Sequence, residues 1–388
     1  MVNKTDVVRL KQVVETTAGF NVLNPIDCER LSDMVFRRTK HYISPATLKR
    51  FMGFYKSGFN SSYQTLDILS IFCGYDGWSG FIKPDKNKTG ISQNELDFFM
   101  SFFKEKDYTN LADHDETMQL LSRRIAERLR EDPKAFEKII PDLAKSELAQ
   151  IFYFEHFPDY DNLVAYQYKG YIEYLKHKTS PEAQIFGNSL LFFRSFLLMD
   201  TALMKQYYEA LMQIEIPENI HPMPLGRYYQ CLLLYAHFVE DKSLVKIIKH
   251  IYSIEKRLPR IGLHFKNFPG FHYFVADALV LCGYYNDVLK LIDFATKNYR
   301  IYKEFVWKGY YRQFQLMQAE AHYHLNNKEK ALHLISKINP NTFYFISRKY
   351  FTARYGLLKI QLGVVTKQEK EETVFLIKSC QFNYFNGL

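Results

Sequence analysis

Arg37-Arg38-Thr39-Lys40-His41-Tyr42-Ile43-Ser44-Pro45-Ala46-Thr47-Leu48-Lys49-Arg50 is the stretch on which the reading of this chain turns. It lies inside a window, Asp33 to Asp67, that has no acidic residue between its ends and holds Arg37, Arg38, Lys40, Lys49, Arg50 and Lys56. Ser44-Pro45 is a helix start, with Ser as N-cap and Pro at the first helical position. Leu48, Phe51 and Met52 then share a face, which predicts a helix over 44–54 opening from a basic turn.

Working outward, Val7, Leu10, Val13 and Val14 predict a first helix over 7–17. Pro25 starts a second, with Cys28, Leu31, Met34 and Val35 on one face. Leu66, Leu69 and Phe72 mark a helix over 65–73, Gly74 fits its C-cap, and Trp78 and Phe81 close a small core. These elements define a domain over 1–83. It carries 11 Lys and Arg against 7 Asp and Glu, a higher density of positive charge than the rest of a chain whose net charge is +9.

The order Leu31-Ser32, Ile43-Ser44-Pro45-Ala46-Thr47-Leu48-Lys49-Arg50, Thr65-Leu66-Asp67-Ile68-Leu69-Ser70 and Gly74-Tyr75 resembles the phage-repressor-like helix-turn-helix family. That resemblance implies that 44–54 is a recognition helix whose first turns enter the major groove of double-stranded DNA. Ala46, Thr47 and Arg50 would face base edges, Arg50 suiting a guanine. Arg37, Arg38, Lys40, His41 and Lys49 would contact phosphates, with Ser44 at the helix start and Ser61 and Ser62 before the following helix. From the residues alone, a basic run is also what a solvated or protein-binding face looks like, so a helical domain without DNA remains the alternative.

Residues 84–109 read as a linker and connecting helix. Asp85-Lys86-Asn87-Lys88-Thr89-Gly90 begins like a calcium loop, but Leu96 stands where a bidentate acid is required, and two lysines sit among the ligands. Ser92 and Glu95 fit a capping box for the helix carrying Leu96, Phe99 and Phe103.

From 110 to 388 apolar residues recur at helical spacing, with turns such as Asp132-Pro133, Ser180-Pro181 and Asn339-Pro340-Asn341. Ala202, Val245, Val288, Ala331 and Val374 recur every 43 residues, as do Leu190, Leu233, Ala276, Ala319 and Leu362. This period predicts stacked helix hairpins, an α-solenoid. Tyr284-Tyr285-Asn286-Asp287-Val288 and Asn326-Asn327-Lys328-Glu329-Lys330-Ala331 resemble inter-helix turns of tetratricopeptide repeats. A concave face would bind a peptide or protein, with Arg227, Tyr229, His272, Arg312 and Arg348 as candidate anchors. The competing reading packs those aromatics between repeats.

The fold class expected is therefore all-α, a helix-turn-helix-like bundle plus a helical-repeat array. The five cysteines lack a CxxC pair and read as reduced thiols of a cytosolic protein. No run of 18 apolar residues is present, so no membrane span is expected. No Gly-rich phosphate loop, HExxH or nucleophile elbow is found, and no cofactor or metal is expected. Joining a repressor-like helix-turn-helix to repeats resembles peptide-responsive bacterial regulators. The expected function is a homodimeric transcriptional regulator, with an intracellular repeat adaptor as the alternative.

Overall fold

The computed structural model describes residues 4–18, 20, 22–55, 61–82, 90–104, 116–258, 270–298 and 307–387. The calcium-like segment Asp85 to Thr89 falls outside them. Among the described residues the chain is all-α, with no strand. It divides into two compact units, Met1–Gly90 and Ile91–Leu388.

The first unit holds α1 (Lys4–Ala18), α2 (Asp27–Thr39), α3 (Pro45–Met52), α4 (Tyr63–Phe72) and α5 (Gly77–Ile82). Leu10, Val14, Leu31, Val35, Leu48, Phe51, Leu66, Leu69, Phe72 and Trp78 form its core. Side chains of this size contribute about 1.5–3 kcal/mol each on burial. Two helices begin in the same way. The Ser44 hydroxyl accepts from the N–H of Thr47 at 3.2 Å, and that of Ser62 accepts from the N–H of Thr65 at 3.2 Å. In each case the two hydroxyls are also 2.9 Å apart. Each cap satisfies a backbone donor that helix geometry leaves without a partner. The helix expected over 44–54 ends at Met52, because Gly53 takes a left-handed φ of 97° and donates its N–H back to Lys49 at 3.2 Å.

The second unit starts with α6 (Gln93–Ser101), α7 (Glu116–Leu129), α8 (Pro133–Lys145) and α9 (Tyr168–His177). Leu96, Phe99 and Met100 of α6 belong to this unit's core, so the helix expected to connect two domains is part of the second. Ser92 caps α6, but the Glu95 carboxylate turns outward to Arg128 at 2.9 Å. Between α8 and α9 the chain is partly π-helical, over Gln150–Glu155 and Leu163–Gln167, around a turn that carries Asp159 and Asp161.

Five helix pairs follow: α10 (Pro181–Leu198) with α11 (Thr201–Met212), α12 (Pro222–Phe238) with α13 (Val245–Glu255), α14 (Gly270–Leu281) with α15 (Tyr285–Asn298), α16 (Trp307–His324) with α17 (Lys328–Ile335), and α18 (Arg348–Leu362) with α19 (Lys367–Ser379). Each first helix packs on the first helix of the next pair. The sequences differ accordingly. α14 is buried from Gly270 to Val280, whereas in α13 only Ile248, Ile251 and Glu255 are buried. A helix apolar all round belongs inside, and an amphipathic one covers it. The last turn, Asn383–Gly387, packs on α10, where the Asn383 amide donates to the Leu198 carbonyl at 3.2 Å.

α12 and α14 approach closely at Gly226. A Cβ there would stand 2.7 Å from the Phe271 Cα, a backbone atom that no rotamer change can move away. Gly226→Ala should therefore destabilise the second unit by about 1–3 kcal/mol. A urea midpoint equal to that of the parent would show that the two helices can separate without cost.

Candidate nucleic-acid interface and buried charge centres

In the first unit α2 ends at Lys40, whose φ of 62° reverses the chain and whose N–H returns to the Phe36 carbonyl at 2.9 Å. The Ser32 hydroxyl, buried on α2, donates to the Ile43 carbonyl at 2.6 Å and fixes the turn against the helix. α3 then packs on α2 through Leu48 and Phe51. Arg37, Arg38, Lys40, His41, Ala46 and Arg50 are exposed, while Ser44, Thr47, Lys49 and Ser61 are half-buried. Ser62 is exposed.

Lys49 reaches Glu29, in the first turn of α2, at 3.5 Å. Arg37 and Arg38 lie in the last turn of the same helix. Nine residues of helix separate Glu29 from Arg38, about 13 Å along the axis. The candidate cations are therefore spread along the α2–α3 hairpin, and are not gathered at one point. Lys49 is partly neutralised by Glu29. Arg37, Arg38, Lys40 and Arg50 make no ion pair among the described residues. Several cations of this unit rest on aromatic rings: Arg38 over Phe72 at 5.6 Å, Arg30 over Phe20 at 4.4 Å, and Arg9, which also reaches Asp6 at 3.8 Å, over Phe81 at 4.4 Å. A ring face holds a cation without cancelling its charge, so the positive field is kept. The Ser44, Thr47 and Ser62 hydroxyls are engaged in the two caps.

In the second unit the five candidate anchors separate into two groups. Arg227, Tyr229 and His272 lie in the core. His272 Nε2 is 3.1 Å from a Glu255 carboxylate oxygen and its ring stacks on Phe294. Tyr229 meets Phe271 edge to face. Arg348 is exposed, and Arg312 is half-buried with its guanidinium hydrogen-bonded to Gln315 one turn on. Only Arg312 and Arg348 of this set are open to a macromolecular partner.

The unit's interior holds two charge centres absent from the sequence-based set. Arg354 is bound to both Asp277 and Glu320, the latter at 2.6 and 2.9 Å. The Asp277 carboxylate also accepts from the Gln230 amide at 3.0 Å and lies 3.4 Å from the Tyr350 hydroxyl. Burial pushes both carboxyls up, and Arg354 opposes it. The second centre is Arg130, paired with Asp159 at 2.7 Å and Asp161 at 2.9 Å, and donating to the Phe345 carbonyl at 2.6 Å. Asp161 also accepts the backbone N–H groups of Lys349 at 2.8 Å and Tyr350 at 3.3 Å, acting as a cap for α18 from 188 residues away. The readable signal was a lone acid within an apolar helical run, as at Asp277; Arg354 shares its helix with Arg348, Lys349 and Lys359 and carries no such mark.

Among the described residues no group of three His, Cys, Asp or Glu is arranged to hold a metal, and no helix is long and apolar enough to cross a membrane. No family model, curated protein or solved structure matches the chain.

Proposed function

We propose that the chain is a DNA-binding transcriptional regulator without catalytic activity, whose first unit binds double-stranded DNA through the α2–α3 hairpin and whose helical-pair unit senses a ligand or docks a partner. The observation that carries this reading is the set of exposed cations Arg37, Arg38, Lys40 and Arg50, without an ion pair among the described residues, flanking a surface helix that opens with small residues. Small side chains let a helix start approach the duplex, and unpaired cations release counterions when they meet phosphates. A homodimer would match a site with two-fold symmetry.

A second reading has its own support. Phe36, Tyr42, Tyr55 and Tyr63 are exposed on the same unit, and exposed aromatics anchor protein partners. In that case the chain is a helical adaptor.

Fluorescence-polarisation titration of genomic fragments at two salt concentrations separates the two. Binding should weaken as salt rises. Lys49→Ala with Arg50→Ala should lower the salt slope by about 1–2 and cost about 1–3 kcal/mol. Unchanged affinity and slope would remove α3 from the interface, and no binding at low salt would leave the adaptor reading.

A further inference from the structure

We propose that the cavity beside Arg227 is a binding site for a small monovalent anion of the halide, nitrate or formate class. Arg227 sits in the second turn of α12 and is 1% exposed. Its guanidinium lies 4.2 Å from the centre of the Phe274 ring, 5.1 Å from that of Phe186 and 5.2 Å from that of Tyr160. Among the described residues none of its three nitrogens has a hydrogen-bond partner at full geometry. The rings can answer the charge from above and below the guanidinium, but its five N–H groups point outward in the plane, where ring faces accept nothing. A buried cation in this condition is costly unless something negative meets those donors.

The cavity supplies the place. It measures about 20 Å³ and is lined by Arg227, Tyr160, Tyr273, Phe274, Tyr310 and Ser347 among others, with no carboxylate on its wall among the described residues. That volume admits one water-sized atom with a little to spare, which suits a halide or a triatomic or four-atom oxyanion and excludes larger acids. The polar lining is of the donating kind. The Tyr160 hydroxyl lies beside the Arg227 guanidinium and interacts with it, but neither group meets a partner at full hydrogen-bond geometry among the described residues. The Ser347 hydroxyl already accepts from the Gln313 amide at 3.0 Å, which leaves its proton to give. The nearby Asp277 is committed to Arg354, Gln230 and Tyr350 and is not the missing counter-charge. Water alone would occupy the space without balancing the charge.

The inference gives a ligand class to the sensing half of the reading above, and rests on that reading only for its regulatory meaning. Its test contains no DNA, so either can fail while the other stands. The full chain is exchanged into potassium gluconate, and chloride, nitrate or formate is titrated in at constant ionic strength while unfolding is followed by urea. Above the dissociation constant, each tenfold rise in anion should shift the unfolding equilibrium tenfold toward the folded state. Arg227→Met should abolish that dependence, and Tyr160→Phe should weaken binding several-fold. The chlorine-35 linewidth of the parent protein, which needs no variant, should be broadened and then narrowed by added nitrate or formate. An unfolding equilibrium indifferent to the anion, the same dependence in Arg227→Met, or a chloride line that nitrate does not narrow would each overturn the proposal.

Discussion

Arg354→Met is expected to destabilise the second unit by about 3–5 kcal/mol, because it leaves Asp277 and Glu320 buried with no counter-charge. The residue lost is not replaced by solvent, since Arg354 is 2% exposed. Urea unfolding should show the loss, with Trp78 fluorescence in a Trp307→Phe background reporting the first unit separately. Adding Asp277→Asn and Glu320→Gln to Arg354→Met should recover part of the deficit, since both buried charges are removed and the amide at 277 can keep the bonds to Gln230 and Tyr350. The deficit should also shrink on acidification. Both carboxyls are raised by burial even in the parent, and without Arg354 they rise further, so the folded variant holds protons that its unfolded chain releases. That contribution is present at low pH and lost as pH rises through the folded values. A single variant as stable as the parent would mean that the charge cluster contributes nothing net.

How much of this was legible in the sequence depends on the range of the interaction concerned. Ser44-Pro45 is a cap closed within three residues and stands where local chemistry placed it, whereas Ser62, named only for phosphate contact, caps a helix that begins at Tyr63 and not at Thr65. Leu48, Phe51, Leu66, Leu69 and Phe72 were inward by helical spacing, and they are buried. The 43-residue column was only partly in register. Val288 and Ala331 are buried, but Ala202, Val245 and Val374 are exposed. The second helices begin at Thr201, Val245, Tyr285, Lys328 and Lys367, so turn lengths vary and a fixed period slips off the core face. The buried ion clusters could not be paired from sequence. Asp277 stands out as an acid among Val275, Ala276, Ala278 and Leu279, but nothing local indicates that its partner is Arg354. The same holds for Arg227: a basic residue at a helix start is ordinarily solvated, and only the packing of α12 on α14 puts it inside.

Asp161→Asn is expected to remove much of a pH dependence that the parent's second unit carries between about pH 4 and pH 7. Burial, and after it the neighbouring Asp159 charge, raise the Asp161 carboxyl from 3.8 to about 7, against Arg130, the Tyr350 N–H and Lys349. The unfolded chain releases this proton near its ordinary value, while the folded chain retains it to near neutrality. Its contribution to stability is thus complete below about pH 4 and is lost as pH rises through 7. At 1.36 kcal/mol per pKa unit the change is on the order of a few kcal/mol. Other shifted groups face the measurement: Asp277 and Glu320 are raised chiefly by burial and add slopes of the same sign, and Glu369, held down to about 2 by its bond to Lys359, adds one of opposite sign. Asp159 is raised also, chiefly by burial, and adds a slope of the same sign. His221 is pushed down to about 3 by burial, so it titrates in the unfolded state first and adds a slope of opposite sign below pH 6.5. The parent's own pH profile therefore mixes these effects, and the informative quantity is the difference between parent and variant at each pH. Asparagine keeps an acceptor for the Lys349 and Tyr350 N–H groups, so the cap on α18 survives while the titration does not. The variant should be the less stable of the two at pH 5 and no less stable at pH 8. A difference that stays constant across that range would mean that Asp161 is ionised throughout, held by Arg130 more strongly than burial opposes it.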